Sequence, residues 1–488
     1  MSDLADLCSM GGAGLRLPLA NAGELECLEV VRHVPGKRLV CRGIWNGQAV
    51  YAKLFMGPGA VRYAARDARG ARALMAHGIA TPPLLHTGSL EKNTGQILIY
   101  AAIPEGCDAE QAWATADEEQ RQQLATALVD TVARHHAAGL IQTDLYLRNF
   151  LCTGNAIHTL DGDGIRIHSA PIPWPRALPN LALLLSKFDV ETDDRIPALL
   201  DVYAARRGWQ ATAGMAAALR AKTAATRITV ARQYAYRKVL RDCTEVQVTR
   251  NFECFLAVRR DRRGGMLDRI LENPDAWLES GTCLRLKNGN TCTIGCVEAD
   301  GRSIVIKRYN IKGVRHGLSR LMRRSRASIS WSNAHLLRML GIPTATPLAL
   351  MERRWGPLRR TSYFVAEYVE GPDLTQVFAD PARTESEKRA IATRVATLLF
   401  KMYRLGICHG DLKADNLKLV GNTLLLLDLD ALRLHGHGKW FERQHARDLK
   451  RLLKNWAQDC GTQRLLVEQL RAAYGALPVL RLAGITER

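Results

Sequence analysis

Asp411 and Asn416 stand five residues apart, and Asp428 follows seventeen residues after Asp411, at the end of the apolar run Leu424-Leu425-Leu426-Leu427. A carboxylate placed this way can orient and deprotonate an attacking hydroxyl. The amide oxygen and second carboxylate are hard oxygen donors, suited to a magnesium ion on nucleotide phosphates. Together they form the set that phosphoryl transfer requires. Asp144, Asn149 and Asp161 repeat both intervals earlier in the chain. The expected roles are an acceptor-orienting aspartate (Asp411, Asp144) and metal ligands (Asn416, Asp428, Asn149, Asp161).

Such residues need a strand lysine to reach the phosphates, and the chain supplies two. Lys53 lies in Ala49-Val50-Tyr51-Ala52-Lys53-Leu54-Phe55, after a hairpin signal at Asn46-Gly47. Lys307 lies in Ser303-Ile304-Val305-Ile306-Lys307, with Asn288-Gly289 upstream. Each lysine precedes a helical stretch, Arg62 to His77 or Ala327 to Leu340, closed by Gly-Ile-x-Thr: Gly78-Ile79-Ala80-Thr81 and Gly341-Ile342-Pro343-Thr344. Asp67 is the expected partner of Lys53. A strand and hinge follow in each copy, Ile97 to Gly106 and Tyr363 to Gly371, the second carrying Glu367 as a nucleotide-side candidate. Long helices near 117–138 and 386–405 then deliver the chain to each aspartate.

One ordered layout occurring twice is an internal repeat. The expected fold is α+β: two tandem protein-kinase-like domains, each with a small β-rich N-lobe and a helical C-lobe. The expected boundaries are 1–240 and 276–488, with a basic connector at 241–275. The Gly-rich start, Gly11 to Gly14, is only a weak phosphate-loop candidate because no clear strand precedes it.

The bulk numbers narrow the partners. A chain of 488 residues with 47% hydrophobic content can bury sizeable cores. A net charge of +20 suggests an anionic partner: a membrane surface, a phosphorylated substrate or nucleic acid. Aromatics make up only 6%, and no DNA- or RNA-binding motif occurs, so nucleic acid is not expected. From Lys307 to Arg326 there are eight Lys or Arg and no acid, which suits an anionic bilayer surface. The 12 cysteines form no CxxC pair and fit a reducing compartment. Cys283, Cys292 and Cys296 match no common zinc spacing. The N-terminus shows no basic region ahead of an apolar core, and no apolar run approaches the ~18–20 residues that span a bilayer. The expected location is cytoplasmic, with peripheral contact at the inner face of the cytoplasmic membrane.

At its catalytic-loop residues the chain resembles the lipopolysaccharide kinase family, which phosphorylates Kdo or core heptose. The resemblance rests on Gln142-Thr143-Asp144-Leu145-Tyr146-Leu147-Arg148-Asn149-Phe150-Leu151. It rests equally on His409-Gly410-Asp411-Leu412-Lys413, Leu427-Asp428-Leu429-Asp430, and Trp331-Ser332-Asn333-Ala334-His335. It implies a two-lobed kinase fold, ATP and Mg2+. It also implies a sugar hydroxyl on a lipid-linked core oligosaccharide as acceptor. Protein serine/threonine or other small-molecule kinases share several of these motifs, and a pseudokinase scaffold for core-assembly enzymes is the non-enzymatic alternative.

The two copies differ. Gln142 stands where the second has His409, and Tyr146 where it has Lys413, a lysine placed to stabilise the transferring phosphoryl. Asn180 stands in place of Asp448, the acid expected to brace the catalytic loop. Ser330 occupies the expected site of the helix glutamate, so Lys307 is expected to lack that ion pair or to take Glu298 or another acid. These differences leave one copy as a candidate inactive domain.

Overall fold

The structure is a computed structural model that describes residues 15–20, 22–34, 36–90, 95–154, 156–299, 301–310 and 324–485. Gly11 to Gly14 and the middle of the basic run, 311–323, lie outside the described residues. The chain divides into two compact units, Met1–Thr226 and Arg227–Arg488.

The first unit opens with strands β1 (Leu15–Pro18), β2 (Glu24–Val34), β3 (Arg38–Trp45) and β4 (Gln48–Phe55). Helix α1 (Ala60–Ala76) precedes β5 (Leu84–Ser89) and β6 (Gln96–Ala101). The six strands form an antiparallel sheet in the order β1-β2-β3-β4-β6-β5. The β3–β4 turn uses Asn46 and Gly47, both at positive φ (50° and 77°), which matches the twist of a two-residue hairpin. One sheet face buries Leu25, Leu39, Cys41, Leu54 and Ile97, and α1 covers the other with Ala60, Ala64, Ala68 and Ala71 against Leu98 and Tyr100. The small residues along α1 let it lie close.

The rest of the unit is mainly helical. It comprises β7 (Cys107–Asp108), α2 (Ala109–Thr115), α3 (Glu118–Ala137), β8 (Leu140–Gln142), β9 (Phe150–Thr153), β10 (Ala156–Thr159) and β11 (Ile165–Ile167). Helices α4 (Trp174–Leu185), α5 (Ile196–Arg207) and α6 (Ala213–Tyr236) follow, and the division between units falls inside α6. Asp117 and Gln120 form a reciprocal capping box that fixes where α3 starts. The core of this region gathers Leu128, Val132, Phe150, Leu181, Leu185 and Tyr203.

The second unit begins with β12 (Val246–Arg250), β13 (Cys254–Arg259), α7 (Gly265–Glu272) and α8 (Pro274–Glu279). This span was expected to be a connector. Instead β12 and β13 are strands of the unit's own sheet, and Leu267, Ile270 and Leu278 pack into its core. Arg250 and Arg259 each end a strand whose interior buries Val246 or Phe255, Ala257 and Val258, so the basic composition of the span conceals two short strands. Then come β14 (Leu284–Gly289), β15 (Cys292–Ala299), β16 (Arg302–Tyr309), α9 (Arg326–Met339), β17 (Pro347–Trp355) and β18 (Leu358–Glu367). The sheet runs β12-β13-β17-β18-β16-β15-β14.

Helices α10 (Leu374–Ala379) and α11 (Glu385–Arg404) lead to β19 (Ile407–Cys408), β20 (Leu417–Val420), β21 (Thr423–Leu426) and β22 (Arg433–Leu434). The unit closes with α12 (Lys439–Leu453), α13 (Cys460–Tyr474) and α14 (Pro478–Leu482). Among the described residues no helix is long and apolar enough to cross a membrane.

Candidate active site

In the second unit, β19 ends in a loop whose shape is held by one buried carboxylate. Asp448 on α12 accepts the backbone N–H of His409 at 2.6 Å and of Gly410 at 3.0 Å. Burial lifts its pKa above the usual carboxylate range, against the pull of those N–H groups and His409. The His409 ring accepts from the Asp411 N–H at 3.3 Å and donates Nε2–H to the Leu427 carbonyl at 2.9 Å. One imidazole thus ties the Asp411 loop to the strand that delivers Asp428.

Asp411 sits among cations. Arg451 Nη2 lies 2.7 Å from its Oδ1 and Lys413 Nζ 3.7 Å away. Asn416 donates Nδ2–H to the Asp411 carbonyl at 2.8 Å, so its amide oxygen is the end left to face a cation. Arg451 was not anticipated from the sequence. It stands three residues after Asp448 on α12, one helical turn along, and nothing local marks it.

The strand lysine is bound by two acids from the Asp428 segment. Lys307 Nζ lies 2.6 Å from Asp428 Oδ1 and 3.8 Å from Asp430 Oδ2. Arg326, the first residue of α9, holds Asp430 at 2.6 Å. Burial acts to lower the Lys307 pKa, but Tyr309, Asp428 and Asp430 outweigh it and raise it above the ordinary lysine value. Burial acts in the opposite sense on Asp428, yet Lys307, His409 and Arg326 keep its carboxyl below the usual range. Ser330 faces Tyr309, and Glu298 lies exposed opposite Ser303 on β16, so the acid that Lys307 takes is neither. Glu367, at the end of β18, pairs with Arg262 at 3.1 Å.

The first unit builds its cluster differently. Lys53 Nζ lies 2.8 Å from Asp67 Oδ2 on α1 and 3.1 Å from Asp161 Oδ1, with Arg38 3.8 Å from the same Asp161 oxygen. Asp163 pairs with Arg66 of α1. Asn180 donates to the Gln142 carbonyl at 2.8 Å and faces His136 Nε2 at 2.9 Å, so a neutral amide stands where the second unit has a carboxylate. Lys187 Nζ lies over the Tyr146 ring at 4.5 Å, supplying a cation near the place that Tyr146 leaves without one. Burial and neighbouring Asp161 raise the Asp144 pKa, partly offset by Lys187 and Arg32.

The two units share hydrogen bonds at matching places. Asn149 donates Nδ2–H to Asp144 O at 2.8 Å, as Asn416 does to Asp411 O. Thr81 donates to Thr159 O at 2.8 Å, and Thr344 to Leu426 O at 2.6 Å. Both bonds end two residues before the aspartate. Asp161 and Asp428 themselves stand at φ 67° and 57°, two of the four non-glycine residues at positive φ among the described residues. An aspartate held there carries backbone strain, which concentrates at functional sites.

The helices that flank these loops are tied to them. A Cβ on Gly162 would lie 2.2 Å from the Asp67 carbonyl, so only glycine lets the Asp161 loop approach α1 so closely. In the second unit Asn333 of α9 donates to Leu429 O at 2.8 Å and Leu432 O at 3.1 Å, on either side of Asp430.

No curated protein matches the chain. Among solved structures, the PknI kinase domain of M. tuberculosis is similar at 16% identity and a TM-score of 0.28, covering 43% of this chain and 98% of that one. The family model described as Lipopolysaccharide kinase (Kdo/WaaP) family matches residues 274–474, the span that carries Lys307, Asp411, Asn416 and Asp428. Over that span the chain is similar to the lipopolysaccharide kinase family, and it is a phosphotransferase of the kinase type.

Proposed function

We propose that this chain is an ATP-dependent kinase that phosphorylates a heptose or Kdo sugar of the lipopolysaccharide inner core at the cytoplasmic face of the membrane, with the second unit carrying the reaction. The observation that carries the reading is Asp411: it is held in a loop clamped by Asp448 and faces Arg451 and Lys413. Asp411 orients the acceptor hydroxyl and takes its proton as the phosphoryl moves. Lys413 and Arg451 offset charge on the transferring group, and Lys307 contacts the nucleotide phosphates.

The oxygen donors fit a magnesium ion: Asn416 turns its nitrogen away to the Asp411 carbonyl, and Asp428 stays ionised. These two residues would hold the ion, which would neutralise charge on the nucleotide phosphates. Glu367, engaged by Arg262, stands at the hinge beside the nucleotide, where the backbone after β18 is available to a base.

We read the first unit as a second kinase-like domain. The shared bonds at Asn149 and Thr81 support that reading. Asn180 in place of a bracing acid, and Arg38 beside Asp161, argue that it is the weaker catalyst. Phosphotransfer by Asp411→Asn should fall by about 10²–10⁴-fold, whereas Asp144→Asn should change it less than about threefold. The reverse ranking assigns the chemistry to the first unit, and full activity in the double variant ends the kinase reading. Mass spectrometry of core oligosaccharide from cells lacking the protein would show the loss of one phosphate and name the sugar.

A further inference from the structure

The β12–β13 and β17–β18 hairpins end side by side and expose an aromatic pair. Phe252 is 60% exposed and Trp355 62%, with ring centroids 6.2 Å apart at 81°. Neither lies on a loose loop. Gly356 N–H donates to Phe252 O at 2.8 Å and Arg354 N–H to Glu253 O at 2.6 Å, which locks the two tips together. Asn251 accepts from the Glu253 and Cys254 N–H groups at 2.9 and 2.6 Å and fixes the first turn. Gly356 sits under the Phe252 ring, where a Cβ would be 3.1 Å from Cε2. Water therefore meets two large rings on a stiff support, an arrangement that marks an interaction surface.

The charge beside the rings indicates what they meet. Arg250, Asn251, Arg354, Gly356, Pro357 and Arg359 line a hollow of about 530 Å³. Phe255 holds two of these guanidinium groups in place, Arg250 at 5.2 Å and Arg354 at 4.7 Å from its centroid. The two tips carry five arginines against two glutamates, and one of those, Glu352, is buried under Arg354 and Arg359. Protruding aromatics beside a cationic basin complement an anionic lipid surface: the rings enter the headgroup boundary and the basin receives a lipid phosphate.

We infer that Phe252, Trp355 and the adjoining arginine-lined hollow form a docking surface for an anionic lipid bilayer. It serves the proposed reaction by bringing the kinase to a lipid-borne acceptor, but its test does not depend on that reaction.

The full chain is sedimented with phosphatidylcholine vesicles, with and without phosphatidylglycerol. Binding should require phosphatidylglycerol and weaken with salt. Phe252→Ser with Trp355→Ser should reduce it about tenfold, and Arg250→Gln with Arg359→Gln several-fold. Phosphotransfer to a soluble, deacylated acceptor should be unchanged in all of them, which separates this surface from the chemistry. Brominated lipid should quench wild-type fluorescence and lose that effect in the conservative Trp355→Phe, a readout that survives if the serine variants fold poorly. Absence of vesicle binding by the wild type overturns the proposal. So does full binding by the serine variant, or quenching unchanged in Trp355→Phe.

Discussion

Tyr309 Oη and Ser330 Oγ lie 2.8 Å apart in the interior of the second unit, and their contact replaces an ion pair. In the first unit the matching helix position, Asp67, binds Lys53 and also accepts from Tyr100 at 2.5 Å. A tyrosine meets the helix in both, but from different strands. With serine on the helix, the negative charge that holds Lys307 comes from Asp428 and Asp430, and the helix contributes Arg326 instead.

Asp430 is therefore expected to matter as much as a helix glutamate would. Asp430→Asn removes the acid shared by Lys307 and Arg326, at a cost of about 1.5–3 kcal/mol for a charge-assisted contact. The expected loss in kcat/KM for ATP is about 10–100-fold with the fold retained. Activity within twofold of wild type would show that Asp428 alone holds the lysine.

Asp448→Asn offers an amide, with only one acceptor oxygen, to the N–H groups of His409 and Gly410. Stability should fall by about 1–3 kcal/mol. Turnover should fall further than stability alone explains, because the Asp411 loop loosens. Urea denaturation and initial rates on the same preparation separate the two effects.

Buried histidines make the fold acid-sensitive. His445, between Ile407 O and Tyr474 Oη, and His136, between Tyr203 Oη and Asn180, both have pKa values pushed down to about 4, chiefly by burial. Below pH 6.5 the unfolded chain takes up protons that the folded chain refuses until about pH 4. Stability should therefore fall as pH falls across that window, by up to about 3 kcal/mol per histidine. Melting curves from pH 7.5 to 4.5 check this, and His445→Gln should flatten the slope while lowering stability at pH 7.5.

Gly162→Ala should separate α1 from the Asp161 loop, because the added methyl meets the Asp67 carbonyl. The expected cost is about 1–3 kcal/mol. Lys53 then loses its simultaneous hold on Asp67 and Asp161, while turnover that depends on Asp411 stays the same. A parallel loss of turnover would mean that the first unit takes part in the reaction.

What can be read from the chain follows from how local each signal is. The hairpin at Asn46-Gly47 is legible because its turn demands those residues at positive φ, whereas Asn288 and Gly289 are the last residues of β14 and the second hairpin turns at Asn290-Thr291. The repeated interval from Asp144 to Asp161 and from Asp411 to Asp428 is legible because a short loop and two short strands span it in each copy. Arg451 and Arg326 are not legible: one reaches Asp411 from 40 residues away, and the other looks like one more base in a basic run. Residues 241–275 resemble a linker in composition, since arginines at strand ends and in the turns between short elements read the same as arginines in a linker.

Many kinase-like enzymes are switched by swinging the helix beside the strand lysine. Here that freedom is removed. Backbone contact at Gly162 in one unit and the Asn333 amide in the other fasten helix to aspartate loop, so the two must move as one body. In the proposed kinase, a helix that carries the Asp428 or Asp161 loop with it makes a poor off switch. That reading places control of the output on the supply of acceptor.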